Sequence, residues 1–587
     1  MKLQENNLNG LWGSLLIEEL VRNGLDYFCL APGSRCAPLT VAVASHPKAG
    51  NVRHYDERGA AFHALGYGRA TGRPAVLITT SGTAVANVWP AVVEASVDRI
   101  PLILLTADRP PELRDTGANQ TIHQAGFFGP YVRWQMDLPC PEKSFAPATL
   151  LTIVDQAIYR SLRSPKGPVH INCMFREPLD PVRSGEDFAG YLAGIASWLA
   201  EDGPYTQYAF PNPEPDPSSF DQLTAALNNV ERGLLVVGSV RGLKHCDAVV
   251  KFAEKLSWPM LADVTSGLRL AGPYGPMVPY YDALLASPRF SEGDQAEAVL
   301  HLGGRIISKR LANYLERIRP CPYILVDDHP LRQDPQHRVT LRIESEVKSF
   351  CEILTPRIKV RDGSAWLTRW QKASDCVRHT VDAFVGNSLV LNEPLVARLL
   401  SQMIQPDHGL FLAASMPMRD MDTYAVVNGM RTAVGCNRGA SGIDGVLATA
   451  TGFAQGLNRP LTVLMGDLAF LHDLNSLNLL RQIDVPLTVV VLNNGGGGIF
   501  SFLPIAWFPD IFEDFFGTPH DLTFEKAAQM FGVEYARPST KEAFIDAYRK
   551  AVEGDRPTLI EIKTDRKENH ELHQNLLQEV VSGLNQA

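Results

Sequence analysis

"RPLTVLMGDLAFLHDLNSLNLLRQIDVPLTVVVLNNGGGG" occupies residues 459–498. Two apolar runs, LTVLM and LTVVVL, flank a stretch in which Phe470, Leu474, Leu477 and Leu480 recur at steps of 4, 3 and 3. The runs read as parallel strands buried on both faces, and the steps between them as one helix face. The unit is strand–helix–strand. "GD" follows the first strand and "NNGGGG" the second. A sheet gains nothing from four glycines, which are costly to order. The end of the second strand therefore needs bare backbone for another purpose.

The same unit occurs once before. "RPAVLITTSGTAVANVWPAVVEASVDRIPLILLTADRP" begins at Arg73, and Arg73 to Pro101 spans 28 positions where Arg459 to Pro486 spans 27. Just upstream, "ALGYGRATG" is echoed by "ATGFAQGLN". The spacing predicts two α/β domains of similar topology, offset by 459 − 73 = 386 positions. Between them "EDGPYTQYAFPNPEPDPSSFDQ" reads as an exposed linker near residues 201–221. After it, "RGLLVVGSV", "PMLADVTSG", "AEAVLHLGGRI" and "PYILVDDHP" are strands ending in turns, which makes a third α/β domain. The rhythm breaks again near residues 355–385. The predicted fold is three α/β domains with mainly parallel sheets, the first and third alike. Their expected limits are residues 1–190, 220–355 and 385–587.

Composition agrees with a large globular chain: 587 residues, 45% hydrophobic and 20% charged. A net charge of −9 disfavours nucleic acid as a partner. The nine cysteines form no CxxC pair and read as free thiols in a reducing cytoplasm. No apolar run reaches the ~18 residues of a membrane helix, and residues 1–13 lack the apolar core of a signal peptide.

In open parallel sheets ligands gather at the carboxyl ends of strands. Asp467 and Asn494 stand at two such ends, 494 − 467 = 27 residues apart, one strand–helix–strand circuit. Two oxygen donors suit Mg²⁺, which takes few protein ligands and leaves the rest to phosphate and water. Adjacent glycines admit such a group without a β-carbon in the way. This spacing resembles the motif of the thiamine diphosphate-dependent enzymes, "GD" then some 25–30 residues then "NN", although Leu468 replaces its usual third glycine. The resemblance implies thiamine diphosphate with Mg²⁺, or Mn²⁺ in its place. Asp467 and Asn494 would bind the metal through side chains and Gly496 through its carbonyl.

Such an enzyme also needs a carboxyl group beside the aminopyrimidine ring, in a dry place. The resemblance points to Glu57 in "RHYDERGAAFHALGYGRATG", ahead of a small-residue helix that could bury it. The repeat offset maps Glu57 to 57 + 386 = 443, and Ile443 would be the bulky apolar residue under the cofactor's bend. In this family a homodimer at least is implied, or a dimer of dimers, with each active site shared between copies.

"APGSRCAPLT", "TTSGTAVANVWPAVVEA", "LTADRPPELRDTGANQTIHQ", "SMPMRDMD", "NRGASGIDG", "GDLAFLHDLNSL" and "NNGGGGIFSFLP" narrow the likeness. Together they resemble the 2-succinyl-5-enolpyruvyl-6-hydroxy-3-cyclohexene-1-carboxylate synthases of menaquinone and phylloquinone synthesis. The implied chemistry is decarboxylation of 2-oxoglutarate and conjugate addition to isochorismate. Both substrates are dicarboxylates, so fixed cations are expected, and the arginine fork suits them. By motif match Arg419 and Arg438 would act on the succinyl carboxylate. Ser34, Arg35, Arg109, Asn119, Gln120, Lys309, Arg310 and Ser415 would hold isochorismate, with Ser415 also near the cofactor. Ile499, Phe500 and Leu503 would form an apolar wall against water. His123 in "TIHQ" reads equally well as a general base and as a loop hydrogen-bonder, and is left out of the site. Competing readings are another thiamine diphosphate decarboxylase or acetohydroxyacid synthase-like carboligase, a non-catalytic binding protein on the same fold, and a dinucleotide oxidoreductase. The last would need a full GxGxxG, which "NNGGGG" lacks.

Overall fold

A computed structural model describes residues 3–211, 217–240, 242–293, 295–361, 364–429 and 431–586. Its sheets arise where the sequence alternates β-branched runs with helices. The first contains β1 (Tyr27–Leu30), β2 (Gly50–Arg53), β3 (Ala75–Thr79), β4 (Leu102–Asp108), β5 (Trp134–Leu138) and β6 (Pro168–Met174). The second contains β7 (Gly233–Val237), β8 (Met260–Ala262), β9 (Ala298–Leu302), β10 (Tyr323–Asp327) and β11 (Leu341–Glu344). The third contains β12 (Gly409–Leu412), β13 (Val434–Cys436), β14 (Leu461–Gly466), β15 (Leu487–Asn493), β16 (Glu534–Ala536) and β17 (Thr558–Lys563).

Every ladder in the three sheets is parallel. The first sheet runs β2-β1-β3-β4-β6-β5 and the third β13-β12-β14-β15-β17-β16. Numbered within each domain, both orders are 2-1-3-4-6-5, so the duplication expected from the 386-residue offset is present in the topology. β3, β4 and β15 are buried along their whole length, as strands covered on both faces must be.

The chain divides into two units. One comprises Met1–Pro211, Asn437–Arg459 and Leu471–Val485; the other comprises Asn212–Cys436, Pro460–Phe470 and Pro486–Ala587. The first sheet belongs to the former, the second and third to the latter.

Within the first unit the helices Glu57–Thr71 and Val446–Leu457 pack backbone to backbone. A β-carbon on Gly66 would lie 2.0 Å from the Thr449 carbonyl oxygen, and one on Gly452 would lie 1.9 Å from that of His63. These contacts are the same contact twice, since 452 − 66 and 449 − 63 both equal the repeat offset of 386. Buried His63 links the pair: Nδ1 is 2.8 Å from Thr451 Oγ1 and Nε2 is 2.7 Å from Tyr27 Oη.

The crossover between β14 and β15 differs from the single helix that the 4, 3, 3 spacing predicts. An α-helix, Asp467–His472, gives way to a 3₁₀ run, Leu474–Arg481. Asp473 breaks it, because its buried carboxylate accepts hydrogen bonds from the Ala448 amide (2.8 Å) and the Ser476 hydroxyl (2.7 Å). In the linker expected at 201–221, residues 212–216 lie outside the described residues, and a helix, Pro217–Asn229, takes up the end of the stretch. The stretch 355–385 holds a 3₁₀ turn, Thr355–Arg357, and most of the helix Ala365–Gly386; residues 362–363 lie outside the described residues.

Gly66→Ala should lower stability by ~1–3 kcal/mol, the usual scale of overpacking. Gly190→Ala, whose added β-carbon meets nothing within 4 Å, should change it by less than about 0.5 kcal/mol. Equal melting shifts in the two variants would refute the contact. Burial, with a smaller push from His54, holds the His63 imidazole down to about 3. The unfolded chain therefore takes up this proton first, so stability is full above the ordinary 6.5 and falls as pH drops toward 3. His63→Gln should flatten the acid side of a melting-temperature profile; an unaltered slope would contradict the assignment.

Candidate active site

β14 and β15 are adjacent, in register from Leu461↔Leu487 to Gly466↔Leu492, so Asp467 and Asn494 emerge side by side at their carboxyl ends. Asp467 is buried. Its Oδ2 accepts hydrogen bonds from the amides of Gly495 (2.8 Å) and Gly496 (3.0 Å), and Oδ1 accepts from the Leu468 amide (2.7 Å). His520 Nε2 approaches Oδ2 to 3.2 Å without hydrogen-bond geometry. Burial raises the Asp467 pKa, against the pull of these amides and His520.

Asn494 donates from Nδ2 to Glu393 Oε1 at 2.9 Å, and its Oδ1 is buried with no partner. Glu393, itself buried, also accepts from Thr564 Oγ1 at 3.3 Å. Desolvation pushes the Glu393 carboxyl up to about 7, opposed by the Asn494 and Thr564 donors and helped by nearby Asp467. Burial, then Glu393, push buried Asp420 the same way. The Gly496 carbonyl accepts from the Gly498 amide at 3.0 Å. Asp467, Asn494 Oδ1 and the Gly496 carbonyl thus form a hard-oxygen set with one buried acceptor unsatisfied. That set fits a Mg²⁺-sized cation.

The glycines answer to more than ligand access. Gly495 and Gly496 have φ of 74° and 146°, which side chains on other residues resist. A β-carbon on Gly496 would lie 2.2 Å from the Gly517 carbonyl oxygen, and one on Gly497 would lie 2.5 Å from that of Phe516. The bare faces therefore press on the 516–517 backbone, a role the sequence reading did not foresee.

Around this end, Ile499 and Phe500 are half-buried and Leu503 is exposed. Trp507, Phe508 and Phe515 continue an exposed apolar stretch. Ser415 has φ 77° and ψ −139°, a strained pair for a residue with a side chain. Its carbonyl accepts from Arg419 Nη1 at 2.7 Å. Lys309 is exposed at the start of the helix Lys309–Ile318; Arg310 pairs with Asp282, which also accepts from Ser308 Oγ.

In the first unit Glu57 opens the helix Glu57–Thr71 and accepts from Asn87 Nδ2 at 3.0 Å. It is half-buried in the single chain, short of the dry setting expected. Arg35 is buried, with Nη1 2.9 Å from the Phe175 carbonyl oxygen and Nη2 3.2 Å from Glu177 Oε1. Desolvation lowers its pKa, and neighbouring Arg109 adds to the fall. The structure therefore brings Arg35 and Arg109 together. Ser34, Asn119 and Gln120 are exposed; Gln120 has φ 54° and abuts Gly82. Arg438 is half-buried and Ile443 is 41% exposed, both on the loop ahead of the helix Val446–Leu457. His123 forms an exposed pair with Asp115. Sequence reasoning missed Glu393, Asp420, His520 and Asn87. Of these only Glu393 carried a signal, an acid in a first helical turn after Asn392, which reads as ordinary capping.

Three family models match the chain: "Thiamine pyrophosphate enzyme, N-terminal TPP binding domain" over residues 12–127, "Middle domain of thiamine pyrophosphate" over 189–412, and "Thiamine pyrophosphate enzyme, C-terminal TPP binding domain" over 416–562. Among curated relatives, a 2-succinyl-5-enolpyruvyl-6-hydroxy-3-cyclohexene-1-carboxylate synthase of Rubrobacter xylanophilus is 51% identical across 97% of this chain and 98% of its own. Synthases of the same name from Salinibacter ruber and Prosthecochloris aestuarii are 48% and 43% identical, covering 98% and 99% of this chain and 97% and 99% of theirs. With its three matched domains and this near-full-length identity, the chain belongs to the 2-succinyl-5-enolpyruvyl-6-hydroxy-3-cyclohexene-1-carboxylate synthase family of thiamine diphosphate-dependent enzymes.

Proposed function

We propose that the chain decarboxylates 2-oxoglutarate and adds the resulting succinyl unit to isochorismate, giving 2-succinyl-5-enolpyruvyl-6-hydroxy-3-cyclohexene-1-carboxylate for menaquinone or phylloquinone synthesis. The observation that carries this reading is the unsatisfied Asn494 Oδ1 beside Asp467, in a chain whose relatives bear that synthase's name. Thiamine diphosphate, when bound, supplies the nucleophilic carbon and the electron sink for decarboxylation. Asp467, Asn494 and the Gly496 carbonyl would hold Mg²⁺, or Mn²⁺, against its diphosphate. Glu393, itself held by Thr564, engages the Asn494 amide nitrogen, which would leave the amide oxygen for the metal. Glu57 Oε would hold the proton shared with the aminopyrimidine ring, and Ile443 would support the cofactor's bend.

Arg419 and Arg438 would bind the succinyl carboxylate. Ser34, Arg35, Arg109, Asn119, Gln120, Lys309, Arg310 and Ser415 would orient isochorismate. Ile499, Phe500 and Leu503 would keep water from the reacting carbon. In this reading the working form is a homodimer or dimer of dimers, and Glu57 serves the site of a neighbouring copy. The half-exposure of Glu57 and the exposed aromatics after Leu503 support a covering partner. The proposed domain limits are 1–190, 220–355 and 385–587, bracketing the three sheets. Among the described residues no helix is long and apolar enough to cross a membrane. Free cysteines support a cytoplasmic setting.

The direct test supplies thiamine diphosphate, Mg²⁺, 2-oxoglutarate and isochorismate and follows CO₂ and the adduct. CO₂ release without adduct formation would redirect the reading to a simple decarboxylase. Glu57→Gln should keep the fold and lose at least ~10²-fold in turnover, the low end for acid–base catalysis; near-normal turnover would remove it from the mechanism. Asp467→Ala should abolish Mg²⁺-dependent binding of thiamine diphosphate by calorimetry, and an unchanged affinity would dismiss the metal assignment.

A further inference from the structure

Glu94 lies on the helix Trp89–Val97, is 3% exposed, and is no part of the site described above. Three consecutive backbone amides converge on its carboxylate. Oε1 accepts from Gly439 at 2.8 Å; Oε2 accepts from Ala440 at 2.6 Å and, more weakly, from Ser441 at 3.4 Å. Successive amides aimed at one point make an anion-binding concavity. Here a side chain of the protein fills it. A β-carbon on Gly439 would lie 2.6 Å from the Glu94 main-chain oxygen, so the loop could not come this close with another residue there.

The carboxylate is held in turn. Arg69, from the helix that begins at Glu57, places Nη2 3.3 Å from Glu94 Oε1 and 3.5 Å from Asn437 Oδ1, and its Nη1 pairs with Asp98. Asn437 donates to Thr449 Oγ1 at 3.0 Å. One buried charge pair therefore ties the Glu57 helix and the Glu94 helix to the loop running from Asn437 to Gly445. That loop carries Arg438, next to the first of the three amides, and Ile443, two residues beyond the last.

We infer that Glu94 is a positioning residue for 2-oxoglutarate recognition, gripping the 439–441 backbone so that Arg438 and Ile443 are presented in one fixed geometry. The inference rests on the reading of Arg438 as a carboxylate-binding residue. Geometry explains why a carboxylate is needed. Its two oxygens accept from three amides, whereas a glutamine has one acceptor and would set an N–H against an N–H. Alanine would leave the three amides without this acceptor, and that of Gly439 lies in a buried residue. Neither substitution alters a group that touches a ligand.

The test uses enzyme loaded with thiamine diphosphate and Mg²⁺ and four variants: Glu94→Gln, Glu94→Ala, Arg438→Ala and the double variant Glu94→Ala/Arg438→Ala. In Glu94→Gln, amide hydrogen exchange at Gly439–Ser441 should speed up at least 10-fold, with the helix Glu57–Thr71 unchanged. kcat/KM for 2-oxoglutarate should fall at least 10-fold in Glu94→Gln, while KM for isochorismate moves less than 2-fold. The double variant should lose clearly less 2-oxoglutarate efficiency than the product of the two single losses, because Glu94 acts largely through Arg438. Unchanged exchange, additive losses, or equal losses for both substrates would each overturn the inference. If Glu94→Ala does not fold, Glu94→Gln alone decides. If Arg438→Ala leaves 2-oxoglutarate kinetics intact while exchange still rises, the grip stands as geometry but the reading of Arg438 fails and the proposed role falls with it.

Discussion

A backbone-to-backbone contact between two small-residue helices is the constraint on which the first unit depends. Gly66 and Gly452 each sit where a β-carbon would overlap a carbonyl oxygen of the other helix. Interiors are packed like crystals, so this separation admits no compromise by small adjustment. The contact sets more than stability. Glu57 begins one of these helices, and the loop with Arg438 and Ile443 leads into the other. Moving either helix outward by the radius of a methyl group would move the groups at its head. The repeat offset recurs within the contact, so a duplicated sequence meets itself here, and a glycine is required once in each copy.

The second unit depends on charge. Glu393, Asp420 and Asp467 are all buried, and desolvation raises the pKa of each. Carboxylates kept this dry are costly to ionise together unless a cation or an array of donors offsets them. Backbone amides supply part of the offset at Asp467, and a divalent ion bound to Asp467 and Asn494 would supply more. Under the proposed Mg²⁺, Glu393 adds negative charge behind the Asn494 amide and orients it, the role that outer partners of metal ligands commonly play. Metal affinity and carboxyl protonation are then linked.

The repeat offset, the buried strands and the 27-residue interval between Asp467 and Asn494 are local or periodic signals, and a sequence displays them openly. Glu393 and Glu94 were not legible for a definite reason. Their partners, Asn494 and Gly439, stand 101 and 345 residues away, and nothing at either position marks the pairing. The crossover helix misled for a related reason. Apolar spacing registers Phe470, Leu477 and Leu480, all buried, but not Asp473, whose carboxylate turns toward Ala448 and Ser476 and breaks the helix. The setting of Glu57 is a third case: small residues after it promise close packing, yet that packing belongs to the helix partner rather than to the carboxylate.

The cations expected from motif matches are not equivalent once their partners are known. Arg35 is anchored by a neutral carbonyl, that of Phe175, which fixes the guanidinium plane without cancelling its charge. Its acidic partner Glu177 has a side chain 71% exposed, and such a pair is worth little. An incoming carboxylate can take the place of Glu177 at small loss. Arg310 is the opposite case. Asp282 beside it has a side chain only 9% exposed and is bound also to Ser308, so this carboxylate is a fixed partner that depends on the pair. Arg35 is thus a charge still to be matched, and Arg310 part of a pair already matched. Under the proposed function Arg35, with Arg109 beside it, would supply attraction, and Arg310 would supply a fixed hydrogen-bonding edge.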